Sequence, residues 1–161
     1  MATKTNAVRL VQQAGIPVRE SFYEFDEKDL SGVHAAQAIG MPQEQVFKTL
    51  VARGEKTGIN VFCIPVCCEL DLKKAAKAAG DKNMELVAVK ELLGLTGYIR
   101  GGCSPVGMKK QYLTVFDESC LTQDTILVSG GRIGTQIECA PQQLIAAVRG
   151  KTAAITQEQA E

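Results

Sequence analysis

Two strand-like runs separated by a short glycine-bounded turn constrain this chain more than any other feature. Residues 46–53, Val46-Phe47-Lys48-Thr49-Leu50-Val51-Ala52-Arg53, are dominated by β-branched, aromatic and aliphatic side chains. Residues 59–66, Ile59-Asn60-Val61-Phe62-Cys63-Ile64-Pro65-Val66, repeat that character, and Gly54-Glu55-Lys56-Thr57-Gly58 joins the two. Such a pair predicts an antiparallel hairpin. A hairpin in the middle of the chain breaks the regular βαβ alternation of a doubly wound sheet. The flanking pattern agrees. Ala7, Leu10, Val11 and Ala14 have helical spacing and are stopped by Gly15 and Pro17. Ser31 caps a short helix that ends at Gly40, residues 70–79 form another before Gly80, and 91–95 make a helical turn. Pro141 opens a last helix with Leu144, Ile145 and Val148. Further strands are expected at 21–25, 86–89, 112–116, 125–128 and 135–139, and a polar, frayed tail at 151–161. The expectation is a single α+β domain, residues 1–150, around a mixed and strongly curved sheet.

Composition removes whole classes of function. Lys plus Arg and Asp plus Glu each number 18, so the formal charge is zero and a non-specific nucleic-acid coat, with its basic excess, is excluded. A single His makes a multi-His metal site impossible. Cys63-x3-Cys67-Cys68 lacks the second ligand pair of a zinc site, so no metal is expected. The six cysteines read as reduced thiols acting as small hydrophobes. No run approaches the roughly 20 apolar residues of a membrane span, and the N-terminus lacks a signal-peptide core, which points to the cytoplasm.

Three places break local rules. Strand alternation puts Lys48 on the face of Val46, Leu50 and Ala52, opposite Phe47, Thr49 and Val51. A lysine there needs water, a carboxylate or a phosphate, unless it merely guards a sheet edge. The run Gly101-Gly102-Cys103-Ser104-Pro105-Val106-Gly107 can aim backbone N–H groups at a carbonyl oxygen, or be a plain tight turn. The run Ser129-Gly130-Gly131-Arg132-Ile133-Gly134 is glycine-rich but lacks the Gly-Lys-Ser/Thr ending of a P-loop, and it joins two strands. Cys103 as a nucleophile would need His34, the only imidazole, which has no evident acidic companion. Lys109 and Lys110, beside the glycine loop, suit phosphate contacts near a pocket.

Together these segments resemble the YbaK/EbsC family. The resemblance is carried in order by Val46-Phe47-Lys48-Thr49-Leu50, Glu69-Leu70-Asp71-Leu72-Lys73-Lys74-Ala75-Ala76-Lys77, Thr96-Gly97-Tyr98, the loop from Gly101 to Gly107, Lys109-Lys110 and Val128-Ser129-Gly130-Gly131. It implies a mixed α/β domain with a curved, barrel-like sheet, like the editing domain inserted in bacterial prolyl-tRNA synthetases. It implies an aminoacyl-tRNA deacylase acting in trans on Cys-tRNA(Pro), with no metal or redox cofactor. The implied partners are the acceptor end of an aminoacyl-tRNA and prolyl-tRNA synthetase, with no membrane or DNA. Lys48, Gly101 and Ser129 take the catalytic roles by resemblance. Tyr23, Gly102, Cys103, Ser104, Pro105, Gly107, Gly131 and Gln136 take substrate-binding ones. In the cysteine-specific branch the substrate's own thiol attacks the ester and leaves as a thiolactone, which needs no enzyme base.

The physical logic is that a proline pocket discriminates against one methylene or a similar group by only about 1–3 kcal/mol, so a second sieve is required. Gln136 departs from the Asp of many cysteine-type members and leaves the amino acid open, with Ala-tRNA(Pro) the alternative. Two other functions share these residues: a non-catalytic aminoacyl-tRNA or synthetase-binding module, and a Cys103 thiol hydrolase.

Overall fold

The computed structural model describes residues 4–158. Helix starts are made by the residues that cap them. Thr5 Oγ1 accepts the Val8 N–H at 3.1 Å and starts α1 (Asn6–Gln13). Ser31 Oγ accepts from His34 N at 3.2 Å and starts α2 (Gly32–Ile39). The Asp71 carboxylate accepts from Lys73 and Lys74 N, each at 3.0 Å, and starts α3 (Leu72–Ala79). Glu91 reaches back to Ala88 N at 3.1 Å and closes the first turn of α4 (Val89–Thr96). Pro141 occupies the first turn of α5 (Pro141–Ala147).

The predicted hairpin is present as β2 (Phe47–Gly54) and β3 (Gly58–Pro65), in antiparallel register from Phe47–Pro65 to Gly54–Gly58. It forms the middle of a five-stranded sheet. β4 (Met84–Leu86) adds to β2, β5 (Leu113–Asp117) runs parallel to β3, and β8 (Lys151–Ala153) runs parallel to β5. β1 (Arg19–Phe22), β7 (Thr135–Cys139) and β6 (Ile126–Arg132) make a second, three-stranded antiparallel sheet. The α+β class and the mixed sheet are as expected, and the barrel is not. The sheets meet at one bridge, Val46 to Leu127, with Leu127 N donating to Gln45 O at 2.9 Å, and they do not close.

Alternation assigns each side chain to one of three cores. Phe47, Val51, Cys63, Phe116, Val128 and Ile137 fill the centre with Val8 and Val11 of α1 and Leu144 of α5. Ala52, Phe62, Ile64 and Val115 pack on the other face of the larger sheet under Ala75 and Ala76 of α3. Val46, Val66 and Leu127 pack under Ala36 of α2. Several boundaries differ from expectation; β6 runs on through Ser129–Arg132, residues expected in the segment that joins the strands, and α4 is longer than the turn at 91–95. The first strand lies at Arg19–Phe22, earlier than 21–25, although Tyr23 N still donates to Gly134 O at 3.0 Å. The short strand 86–89 lies at Met84–Leu86, because α4 begins at Val89. Residues 151–158 are not a frayed tail. β8 joins the sheet, Ile155 is fully buried, and Thr156 bridges Leu70. The final residues of that predicted tail, 159–161, lie outside the described residues.

Candidate active site

Each sheet sends a polar side chain to its α2 side, Lys48 from β2 and Ser129 from β6. On β2, Phe47 enters the central core, so Lys48 points to the opposite side. There it is half-buried beside Gly32, where a Cβ would lie 3.9 Å from the Lys48 Cβ. On β6, Leu127 packs under α2 and Val128 into the central core, so Ser129 returns to the α2 side. Gln136 is the cross-strand partner of Ser129 and shares its face. Lys48 and Ser129 each lie two residues past the Val46–Leu127 bridge that joins the sheets, on the α2 side of their strands, and Gln136 shares the face of Ser129. Lys48 has no hydrogen-bond or ion-pair partner among the described residues. β2 pairs with β3 along its whole length but with β4 only at Ala52–Gly54, so Lys48 has a sheet partner on the β3 side and none on the β4 side.

The glycine loop forms the next wall. Gly101 has φ +86°, and a Cβ on it would lie 3.1 Å from Leu30 Cβ, two residues before the Gly32 that borders Lys48. At Gly102 only a hydrogen fits, because a Cβ would sit 2.9 Å from the backbone nitrogen of Ile133. The loop is thus packed backbone to backbone against the end of β6 at Arg132–Ile133. Gly102 N donates to Ile99 O at 3.0 Å and Val106 N to Ser104 Oγ at 3.2 Å. The N–H groups of Gly101, Cys103 and Ser104 have no protein acceptor among the described residues. Unused donors on a fixed loop are what stabilisation of a developing oxyanion requires.

The remaining predicted residues fall into distinct places. Ser129 Oγ accepts the Gly131 N–H at 3.1 Å, which braces the turn. Gln136 is 6% exposed, and its Oε1 has no hydrogen-bond partner. Tyr23 stands at the rim, its ring centroid 6.4 Å from that of His34 in an edge-on contact. Gly107 packs against Asn6, Leu10 and Tyr98. Pro105 and Gly107 line a cleft of about 340 Å³ with Leu10, Lys110 and Tyr112, and that lining includes neither Lys48 nor Ser129.

Cys103 is 7% exposed, and burial pushes its thiol up to about 11. That is the reverse of an activated nucleophile. His34 does have an acidic companion, contrary to expectation: its Nδ1 lies 3.9 Å from Asp29 Oδ2. The link was hidden because it runs between a loop and the helix that follows. Asp29 is held below the ordinary carboxylate range chiefly by the Ser31 hydroxyl and the Ser31 N–H. Lys109 Nζ lies 3.5 Å from Gly94 O of α4, and Lys110 lines the cleft beside Pro105 and Gly107.

Three residues outside the predicted set hold the loops. The Tyr98 hydroxyl, 8% exposed as a residue and raised to about 12 by burial, donates to Val106 O at 2.5 Å. Its ring abuts Gly131. Thr5 Oγ1 donates to Gly130 O, and Asn6 Nδ2 donates to Gly107 O at 3.2 Å. Nothing in the sequence around Thr5 signals its bond to a residue 125 positions away.

The model of the aminoacyl-tRNA editing domain matches residues 30–147, a span that holds Lys48, the glycine loop, Ser129 and Gln136. The chain belongs to the aminoacyl-tRNA editing domain family. It is 46% identical over 153 residues to EbsC of Enterococcus faecalis, by name a Cys-tRNA(Pro)/Cys-tRNA(Cys) deacylase, covering 95% of this chain and 93% of that one. YwhH of Bacillus subtilis, an uncharacterised protein, is 26% identical over 121 residues, 75% of this chain and 76% of its own. A solved structure titled as a trans-editing enzyme for prolyl-tRNA synthetase superposes with a TM-score of 0.79 at 27% identity, covering 97% of this chain and all of the other. For an editing domain, the site contains little acid–base machinery. Among the described residues no cluster of three or more His, Cys, Asp or Glu could hold a metal.

Proposed function

We propose that this editing domain acts in trans to deacylate Cys-tRNA(Pro), and that Lys48, the Gly101–Ser104 segment and Ser129 carry the reaction. The observation that supports it best is that Lys48 and Gly101 border the two ends of the short span Leu30–Gly32, Gly101 opening a loop with unused N–H groups. An aminoacyl ester is already activated, so the protein has to position it and stabilise charge on its carbonyl oxygen. In this reading Lys48 grips the phosphate or ribose end of the acceptor terminus. The loop N–H groups meet the carbonyl oxygen as it becomes an oxyanion. Ser129 fixes the turn that faces them. Gln136 and Tyr23 bound the side-chain end. The substrate thiol attacks its own ester carbon, the thiol proton passes to the departing 3′ oxygen, and a thiolactone and tRNA are released. Cys103, buried and protonated, shapes the pocket.

A chain with no basic excess has little surface for reading tRNA, so prolyl-tRNA synthetase supplies tRNA selectivity, and the protein works in the cytoplasm where tRNA is charged. The test is deacylation of Cys-tRNA(Pro), Cys-tRNA(Cys) and Ala-tRNA(Pro) by the wild type and by Lys48→Ala. The wild type turns over Cys-tRNA(Pro), and Lys48→Ala is slower by about 10²–10³-fold, the cost of removing one preorganised charge partner. Turnover of none of the three would refute the enzyme reading. Undiminished turnover by Lys48→Ala would refute the role of Lys48. A thiol-alkylated Cys-tRNA(Pro) that reacts at the normal rate would refute attack by the substrate thiol.

A further inference from the structure

Cys67 and Cys68 have no part in the proposed reaction, yet they lie against its site. They occupy the turn that leaves β3, both are half-buried thiols, and their sulfurs are 3.8 Å apart. The other four cysteines are buried, so this pair is what a solute meets first. The turn is wedged against the machinery. A Cβ on Gly32, at the start of α2, would lie 2.3 Å from Val66 Cγ1, one residue before the pair. Lys48 is the cross-strand partner of Ile64, three residues before Cys67. β5 carries Phe116 opposite Cys63, so Asp117 follows at the level of Ile64, in line with Lys48 across the sheet. The Cys68 sulfur is close enough to feel the charges of both Asp117 and Lys48.

We propose that the Cys67–Cys68 dithiol is an oxidative modification site of the editing pocket, where a hydroperoxide makes an intramolecular disulfide that displaces the turn and, with it, Lys48. The chemistry closes. The Cys67 sulfur attacks the outer peroxide oxygen, the O–O bond breaks, and an alcohol or water leaves with a sulfenic acid on Cys67. The Cys68 sulfur then attacks the Cys67 sulfur, and water departs with the Cys68 proton. Two thiols are oxidised by two electrons, and one O–O bond is reduced. Burial, chiefly, and the Cys67 thiol beside it raise the Cys68 thiol, and the same two steps balance with the two sulfurs exchanged.

The bond cannot form without movement. A disulfide needs its sulfurs at about 2.05 Å and its Cα atoms usually about 4.4–6.8 Å apart, whereas Cα atoms joined by one trans peptide are only about 3.8 Å apart. The turn must distort, and a distorted disulfide is readily reduced. The site is therefore reversible.

The consequence for catalysis rests on the proposed function, so the test also carries a readout that does not. The full chain is treated with stoichiometric hydrogen peroxide, and the link is mapped by peptide mass. Deacylation of Cys-tRNA(Pro) and the rate of Lys48 acylation by an amine reagent are then followed. The expected result is a Cys67–Cys68 link, Lys48 labelling changed several-fold, and activity about a hundredfold lower, as for a misplacement of about 1 Å. Dithiothreitol restores all three. The Cys67→Ala/Cys68→Ala variant keeps normal activity and does not respond. If that variant is unstable, Cys68→Ser replaces it and must show no link. The proposal is overturned if the link maps to other cysteines, if the insensitive variants lose activity equally, or if the Cys67–Cys68 link forms with Lys48 labelling unchanged. Absence of deacylation in every sample would count against the proposed function alone, because mapping and labelling still decide the modification site.

Discussion

At the scale of single residues, the site separates groups that chemistry could use from groups that only look reactive. Cys103 sits in the glycine loop, where a thiol nucleophile would be expected, but burial keeps it protonated up to about pH 11. Cys103→Ser is therefore expected to retain Cys-tRNA deacylation within a few-fold, whereas a thiol hydrolase would lose it altogether; a rate comparison decides. Tyr98 was visible in the sequence only as part of a motif. Its hydroxyl satisfies the buried Val106 carbonyl, so Tyr98→Phe is expected to cost about 1–3 kcal/mol of stability, measured by urea unfolding. The loop should loosen as well, and deacylation should slow. A variant with unchanged stability and rate would show that the bond does not hold the loop. Gln136 was chosen by resemblance, and the structure adds a physical reason to attend to it: a buried acceptor oxygen without a partner in the unliganded chain.

At the scale of elements, function depends on how loops are pinned. Gly102→Ala pushes a Cβ against the Ile133 backbone, which has no flexible end to move aside. It is expected to abolish most deacylation while leaving the helical and sheet content, read by circular dichroism, intact. The β2–β3 turn has a different anchor. Asp81 accepts from Thr57 N at 2.8 Å, Thr57 Oγ1 at 2.7 Å, Lys82 N at 2.7 Å and Lys56 N at 3.0 Å. These bonds, led by that of Thr57 N–H, hold its carboxyl far below the ordinary range. A depressed carboxylate stabilises the fold above its unfolded pKa of about 3.9 and loses that contribution as pH falls towards its folded value. The protection factors of the Lys56 and Thr57 amides should therefore fall below about pH 4, and Asp81→Asn should show the lowered protection already at neutral pH. The hairpin itself was readable because turn and alternation are local. The cap-to-loop bonds of Thr5 and Asn6 were not, because nothing near residues 5 and 6 specifies the glycines they meet.

At the scale of the whole molecule, the C-terminal segment belongs to the fold. β8 covers the edge of β5, the Asp117 carboxylate accepts from Ile155 N at 3.1 Å, and Lys74 Nζ donates to Thr156 O at 3.0 Å. Ile155→Ala is expected to cost about 2–5 kcal/mol, or roughly 4–20 °C in Tm for a chain of this size. Removing residues 151–158 should cost more and expose β5 as a sticky edge. A truncated chain with unchanged Tm would refute the structural role of β8. The polar composition of 151–161 hid this role, because a three-residue strand with one buried Ile has no periodicity to detect.

The sequence by itself determined the hairpin, the helix caps, the α+β class and the face on which Lys48 lies. Each of these depends on neighbours within a few residues: period-two alternation, a turn of set length, or a side chain reaching its own backbone. The ordered motifs also pointed to the family. Tertiary structure alone decided that the strands make two sheets joined at Val46–Leu127, and that residues 151–156 join the fold through β8 and the buried Ile155. It alone also set Lys48, Gly101 and Val66, just before the Cys67–Cys68 pair, against the start of α2 and the residues that lead into it. Those relations join parts of the chain that no local pattern couples, and they exist only once packing has chosen which surfaces meet.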